Sequence, residues 1–352
     1  LSNPNISVDR AMIEGLSRGF EAIFSVLKAI YPPSLTTGLL ALLLAILLDL
    51  LYPRHRGLML RVHPVHTCFL MAKRLVRPYA GRAYGVILAL TCILVHLTPP
   101  MAMLTAIHLA GSWAAPILWL TAAACILKLS FSIRLLAEIG LRVGDCARAG
   151  DWEDARFWAQ QLVRRDVYSL DEEHVLSAAV ESLAESLVDG IVSPLFYYPL
   201  LGVIGPYLQR IINTLDGAIG IRSREFERVG WFSAKLDTIM NYLPARLSAL
   251  YIILSSLLLG HDWRGAWRIW KRDHDRTESL NAGHPMAAMA GALGVRLEKI
   301  GQYVLGDPIN GLDWRRIYDA VRIVLCSTAL HLMLVTAIIM MIYEIVLKLP
   351  VI

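Results

Sequence analysis

The sequence predicts an all-α, polytopic integral membrane protein with broken or re-entrant helices and a cytoplasmic helical layer. Three observations point there. Hydrophobic residues make up 56% of the 352 residues and charged residues 18%, whereas soluble domains carry about 25% charge. The apolar excess is gathered in blocks, Ser34–Tyr52, Trp113–Ser132 and Val321–Leu347, close to the ~20 residues a helix needs to cross a hydrocarbon core. Within the first block Leu39–Leu48 reads LLALLLAILL, apolar on every side, while a helix on a soluble protein keeps one polar face.

The chain reads as one membrane-embedded domain over residues 1–352. Over 1–33, Met12, Ile13, Leu16, Phe20, Ile23, Phe24 and Leu27 recur at helical spacing among charges, the pattern of an interfacial amphipathic helix or of a helix packed on a partner. The charges leave no continuous apolar run for a secretory signal. Residues 34–136 hold the first spans. Seven basic residues between Arg54 and Arg82 place that connection on the cytoplasmic side. The next external turn falls at Thr98-Pro99-Pro100 or at Gly111-Ser112.

Residues 137–320 form the cytoplasm-facing region, and 321–348 the last span. Arg134–Gly190 is dense in both charge signs. Ile191–Ile212 contains Pro194, Pro199, Gly202, Gly205 and Pro206, which one unbroken helix cannot hold. Irregular backbone at membrane depth survives where protein or a wet cavity satisfies it, so a broken segment lining a cavity is expected. Leu247–Leu259, a run of 13 uncharged and mostly apolar residues between basic stretches, reads as re-entrant or interfacial rather than as a crossing. The five cysteines show no paired spacing, which argues against a zinc site or a disulfide framework. The net charge of +5 is not arranged as a nucleic-acid-binding stripe.

Four polar blocks interrupt this pattern. Glu181, Glu185 and Asp189 are spaced by four, stacking three carboxylates on one helix face. Such a stack repels itself unless a cation bridges it, and all-oxygen ligands suit Mg²⁺. NTLDGAIG sets Asn213 one turn from Asp216, with Gly217 and Gly220 as a tight helix exit. In KLDTIMNYLPAR, Asp237, Asn241 and Arg246 follow Lys235, and Pro244 frees the carbonyl of Met240 toward a ligand. The fourth block turns at Asn281-Ala282-Gly283 into a helix of small residues that permits close approach by a helix or a bulky ligand. His63-Pro64-Val65-His66 is a weaker metal pair, lacking a third ligand. No Walker A loop, dinucleotide fingerprint, zincin motif or nucleophile elbow is present.

Read in order, Glu181…Glu185…Asp189-Gly190, Asn213-Thr214-Leu215-Asp216, Leu236-Asp237…Asn241…Pro244-Ala245-Arg246 and Asn281-Ala282-Gly283…Pro285-Met286-Ala287-Ala288 resemble the CobD/CbiB family, the adenosylcobinamide-phosphate synthases of cobalamin biosynthesis. The likeness runs from about Leu39 to Tyr303, with His63-Pro64 after the first span. Ser186, Ile221, Thr238 and Leu280 depart from the family pattern.

The resemblance implies a multi-pass plasma-membrane ligase whose site faces the cytoplasm. It would join adenosylcobyric acid to (R)-1-amino-2-propanol or its O-phosphate, using ATP and Mg²⁺. Amide formation from a carboxylate needs an activated acyl group, most simply an acyl phosphate. The expected roles are Mg²⁺ at Glu185, Asp189 and Asp237, phosphate contacts at Arg165, Lys235 and Arg246, orientation by Asn213, Asn241 and Asn281, and Glu181 or Asp216 as base. Expected partners are these small molecules, the lipid bilayer, and further copies of the chain or other membrane enzymes of the pathway. A membrane transporter or a regulatory sensor related to the family is the alternative reading.

Overall fold

A computed structural model describes Glu21, residues 24–221 and residues 223–348. Of the amphipathic stretch expected near the start, Met12, Ile13, Leu16, Phe20 and Ile23 lie outside the described residues. Phe24–Ile30 is helical (α1) and stops at Tyr31-Pro32-Pro33, where proline withdraws backbone donors. Ser34 then caps α2 (Leu35–Leu51), its hydroxyl accepting from Thr37 N at 3.1 Å. The two helices are bent by 54°.

α3 (Leu58–Arg61), α4 (Pro64–Leu75), α5 (Arg82–Ala110), α6 (Ala115–Lys128), α7 (Arg134–Ala149), α8 (Trp152–Gln160) and α9 (Glu172–Leu187) follow. Among the described residues two helices are long and apolar enough to cross a membrane. They are Arg82–Ala110, with mean hydropathy 1.9, and Trp314–Ile345, with 2.3; α1 with α2 makes a third if the bent pair is one span. The protein is an all-α membrane protein with a single small hairpin among its described residues.

Three expectations change in detail. Trp113–Ser132 is not a full-length span: its helix, α6, has 14 residues, about 21 Å at helical rise. The turn after α5 is at Gly111-Ser112, because α5 runs on through Pro99-Pro100 and ends at Gly111, whose φ is +55°. Leu247–Leu259 is not a separate short segment. It is the apolar half of a 28-residue helix, Trp231–Leu258, that continues unbroken through Pro244.

Ile191–Ile212 is broken as expected. A π-turn covers Val188–Val192, then come α10 (Ser193–Phe196), α11 (Tyr198–Leu201) and α12 (Ile204–Ile219). Pro194 cannot donate to the carbonyl of Gly190, which accepts instead from Ser132 N at 3.1 Å. Gly202 separates α11 from α12 with φ +62°. A Cβ there would stand 2.4 Å from the Ile30 carbonyl oxygen, so both backbone conformation and close approach demand glycine. The adjacent Val203 N donates to that carbonyl at 3.0 Å, tying the break to the end of α1.

The rest of the chain is α13 (Trp231–Leu258), α14 (Trp263–Asp273), α15 (Gly283–Leu293), an antiparallel hairpin of β1 (Leu297–Lys299) and β2 (Tyr303–Leu305), and α16 (Trp314–Lys348). α15 is buried along its whole length. Its small residues serve helix packing: a Cβ on Gly291 would lie 2.4 Å from the Gly265 carbonyl oxygen of α14. α2 and α6 are pinned together by a buried ion pair, Lys128 Nζ to Asp49 Oδ1 at 2.7 Å. The other Asp49 oxygen accepts from Ile133 N at 3.0 Å and Arg134 N at 2.9 Å. The charge is thereby both paired and hydrogen-bonded, as burial requires.

Candidate active site

Of the site residues expected from sequence, all but Arg246 line one cavity of about 620 Å³ between α9, α12, α13, the start of α15 and the hairpin. α9 brings Glu181 and Glu185, and the π-turn that follows brings Asp189. π-turns inside helices concentrate at functional sites. α12 supplies Asn213 and Asp216, and α13 supplies Lys235, Asp237 and Asn241.

Asn241 is the hub of the acidic end. Its Nδ2 donates to Asp189 Oδ1 at 3.1 Å and to Asp237 Oδ2 at 3.0 Å, while its Oδ1 accepts from Gln209 Nε2 at 3.1 Å. Asn213 Nδ2 donates to the other oxygen of Asp237 at 3.2 Å. Burial, then the charge of Asp216, pushes the Asp237 carboxyl up to about 7, against the pull of the two amides. Burial followed by Asp237, Glu185 and Asp216 holds Asp189 well above the usual carboxylate range. Glu185 is raised by burial and then by Glu181, with Arg164 and Lys299 acting in the other direction. These buried carboxyls crowd one another, which disfavours their charged forms.

The expected three-carboxylate metal set is not preassembled. Among the described residues no group of three His, Cys, Asp or Glu side chains stands at metal-holding distance. Asn241 donates to both Asp189 and Asp237, so an amide occupies the place a shared cation would take. The donor chemistry nonetheless fits Mg²⁺, which binds through one or two carboxylates and completes its shell with water and phosphate oxygens. His63 belongs elsewhere, capping α4 by accepting from Val65 N at 3.2 Å.

Glu181 is fully engaged: Arg165 Nη2 at 3.1 Å and Ser177 Oγ at 2.7 Å reach Oε1, and the Tyr303 hydroxyl reaches Oε2 at 2.6 Å. Asp216 lies against Gly220, where a Cβ would come 2.0 Å from its Oδ1. Gly217 likewise makes room for Arg164, with Nη2 3.0 Å from the position of its Cβ. The two glycines therefore serve close approach. The expected tight exit is absent, since Gly220 has an ordinary φ of −74°.

Two further expectations are corrected. Arg246 does not reach the cavity. It stacks 3.5 Å over the Tyr242 ring and donates through Nη1 to Asn281 Oδ1 at 3.3 Å, while Asn281 Nδ2 holds the Thr238 carbonyl at 2.9 Å. It is a positioning residue for Asn281. The Met240 carbonyl freed by Pro244 is not open to a ligand either, because the Tyr197 hydroxyl donates to it at 2.9 Å.

Sequence reasoning missed Arg164, Lys299, Gln302 and Tyr303, all of which line the cavity. The last three ride on the hairpin, whose signal was a pair of short alternating runs around Gly301, a residue with φ +73°. Ser186, Thr238 and Leu280, where the chain departs from the family pattern, also line it.

Comparison with known proteins identifies the family. The family model described as CobD/Cbib protein matches residues 42–346. A protein of Aeropyrum pernix named "Probable cobalamin biosynthesis protein CobD" is 45% identical over 310 residues, 87% of this chain and 94% of that one. A protein of the same printed name from Methanothermobacter thermautotrophicus is 42% identical over 286 residues, 80% of this chain and 91% of its own. "Cobalamin biosynthesis protein CobD" of Dehalococcoides mccartyi is 38% identical over 229 residues, 65% and 73% of the two chains. No solved structure matches. With four polar blocks gathered in one cavity and a family match from the first apolar helix to the last, this chain belongs to the CobD/Cbib protein family.

Proposed function

We propose that the protein is the amide-forming ligase of cobalamin biosynthesis that joins adenosylcobyric acid to (R)-1-amino-2-propanol or its O-phosphate, consuming ATP with Mg²⁺ at the cytoplasmic membrane boundary. One observation carries this reading: acidic and amide side chains from α9, α12 and α13 share a single open cavity with Arg164, Arg165, Lys235 and Lys299. Both signs of charge are needed where a phosphorylated acyl group is made and displaced. The printed names of the relatives place them in cobalamin biosynthesis.

Bound Mg²⁺-ATP would supply the phosphoryl group that converts the propionate carboxylate into an acyl donor, Mg²⁺ being held by Asp189 and Asp237 with Glu185 nearby. Lys235, Arg164 and Lys299 take up phosphate charge. Arg165 is oriented for the same task by Glu181, which the Tyr303 and Ser177 hydroxyls hold in place. Asn213, Asn241 and Asn281 orient donor and acceptor. The amine nitrogen then bonds to the acyl carbon as the carbon–oxygen bond to phosphate breaks. Its surplus proton passes to Asp216, a carboxyl of the same cavity that Gly220 allows to lie close against the end of α12.

Detergent-purified protein incubated with adenosylcobyric acid, aminopropanol phosphate, ATP and Mg²⁺ should give the amide, detected by mass. Folded protein that binds the corrinoid but forms no product and consumes no ATP would instead support a transport or sensing role.

A further inference from the structure

A second cavity, also of about 620 Å³, lies between the end of α2, the start of α4, the end of α6 and α7. It meets the first site at Arg210. The guanidinium of Arg210 lines the second cavity, and its Nη1 donates to the backbone carbonyl of Asp189 at 3.5 Å.

Arg54, Arg56, Lys128 and Arg210 line this cavity, and none of its lining residues is an Asp or Glu. Two of the cations are matched from outside, Arg54 by Glu138 at 3.1 Å and Lys128 by Asp49 at 2.7 Å. Arg56 and Arg210 make no ion pair with a carboxylate among the described residues. Two polar atoms in the same wall, Arg54 Nε and His55 Nε2, are buried with no hydrogen-bond partner. A buried donor left without an acceptor costs about 1–3 kcal/mol, which adds to the unmatched polarity of this wall. The His63 ring lies 4.6 Å from that of His55, tilted by 51°, and its pKa is lowered to about 3 by burial and then by His55, Arg210 and Lys128. Phe69 and Phe131 provide an apolar side.

We propose that this cavity is a second, anion-binding site that takes a phosphate group, clasped by Arg56 and Arg210 with imidazole support from His55. Arginine's fork matches phosphate oxygens two at a time, and three phosphate oxygens can use the several donors that face the cavity. The phosphate arrives either on a soluble phosphate ester or on a phospholipid headgroup. The site is independent of the ligase chemistry, and its test needs no turnover.

Inorganic phosphate is titrated into the full-length protein in detergent, following binding by calorimetry and melting temperature. Saturable binding should weaken at least tenfold in Arg56→Gln, an exposed position whose change leaves the fold intact. It should weaken similarly in Arg210→Gln and stay unchanged in Arg148→Gln, whose side chain lies over the Trp314 ring and lines neither cavity. If Arg210→Gln fails to fold, Arg56→Gln decides. Phosphate affinity equal in wild type and Arg56→Gln, an equal loss in Arg148→Gln, or no binding at all overturns the proposal. Nanodiscs of phosphatidylglycerol against phosphatidylcholine, set beside soluble O-phosphoethanolamine, assign the source. Competition by the lipid identifies a headgroup site, and competition by the soluble ester identifies a substrate-side site.

Discussion

The hydroxyl of Tyr303 donates to Glu181 Oε2 at 2.6 Å, joining a hairpin near the end of the chain to the middle of a buried helix 122 residues earlier. Through it the hairpin carries Lys299 and Gln302 to the cavity and fixes the carboxylate that orients Arg165. Removing the hydroxyl in Tyr303→Phe deletes a hydrogen bond to a charged group worth about 1.5–3 kcal/mol. Glu181 keeps Ser177 and Arg165, so the protein should fold while kcat falls about tenfold or more. An unchanged kcat with a lowered melting temperature would make the contact purely structural.

Gly220 is tested by Gly220→Ala. A methyl group there would meet Asp216 Oδ1 at 2.0 Å, and the carboxylate must swing away. Because a misplacement near 1 Å can lower a rate about 100-fold, amide formation should drop 10- to 100-fold with little change in melting temperature. Normal turnover in this variant would remove Asp216 from the base role.

Asp189→Asn replaces a carboxyl that its surroundings already hold toward the neutral form. The fold should tolerate the amide, with a melting temperature in metal-free buffer equal to or above that of wild type. Stabilisation by added Mg²⁺, which follows from preferential binding to the folded state, should shrink, and product formation should be abolished. Activity within a few-fold of wild type would contradict the metal role.

The pH dependence has a definite sign. Asp237 titrates near 7 in the folded protein, above the roughly 3.9 of an unfolded aspartate. Its contribution to stability is complete below the unfolded value and is lost as pH rises through 7. Metal-free protein should therefore melt at progressively lower temperature between about pH 4 and 7, and the Mg²⁺-induced rise should be larger at pH 8 than at pH 6. Differential scanning fluorimetry with and without Mg²⁺ checks both trends. A larger Mg²⁺ effect at pH 6 would show that these carboxyls do not bind the ion.

Packing between α14 and α15 depends on Gly291, whose Cβ position lies 2.4 Å from the Gly265 carbonyl oxygen. Gly291→Ala should destabilise by about 1–3 kcal/mol through overpacking, despite the helix propensity gained. Thermal unfolding in detergent measures it.

Much of this protein was fixed by local chemistry and could be read directly. Blocks such as Leu39–Leu48 dictate an apolar helix whatever surrounds them, and the prolines and glycines of Ile191–Ile212 forbid a single helix because the donors are missing. The acidic and amide residues of α9, α12 and α13 declared themselves by helical spacing. Partnership was decided only in three dimensions. Whether Arg246 reaches the cavity or stops on Tyr242, whether the Met240 carbonyl meets a ligand or Tyr197, and whether Glu181 is free or held by Arg165, Ser177 and Tyr303 each depend on where distant segments arrive. Sequence spacing sets which side chains share a helix face. The length of a hydrogen bond between α9 and a hairpin 122 residues away is set by how every intervening element packs.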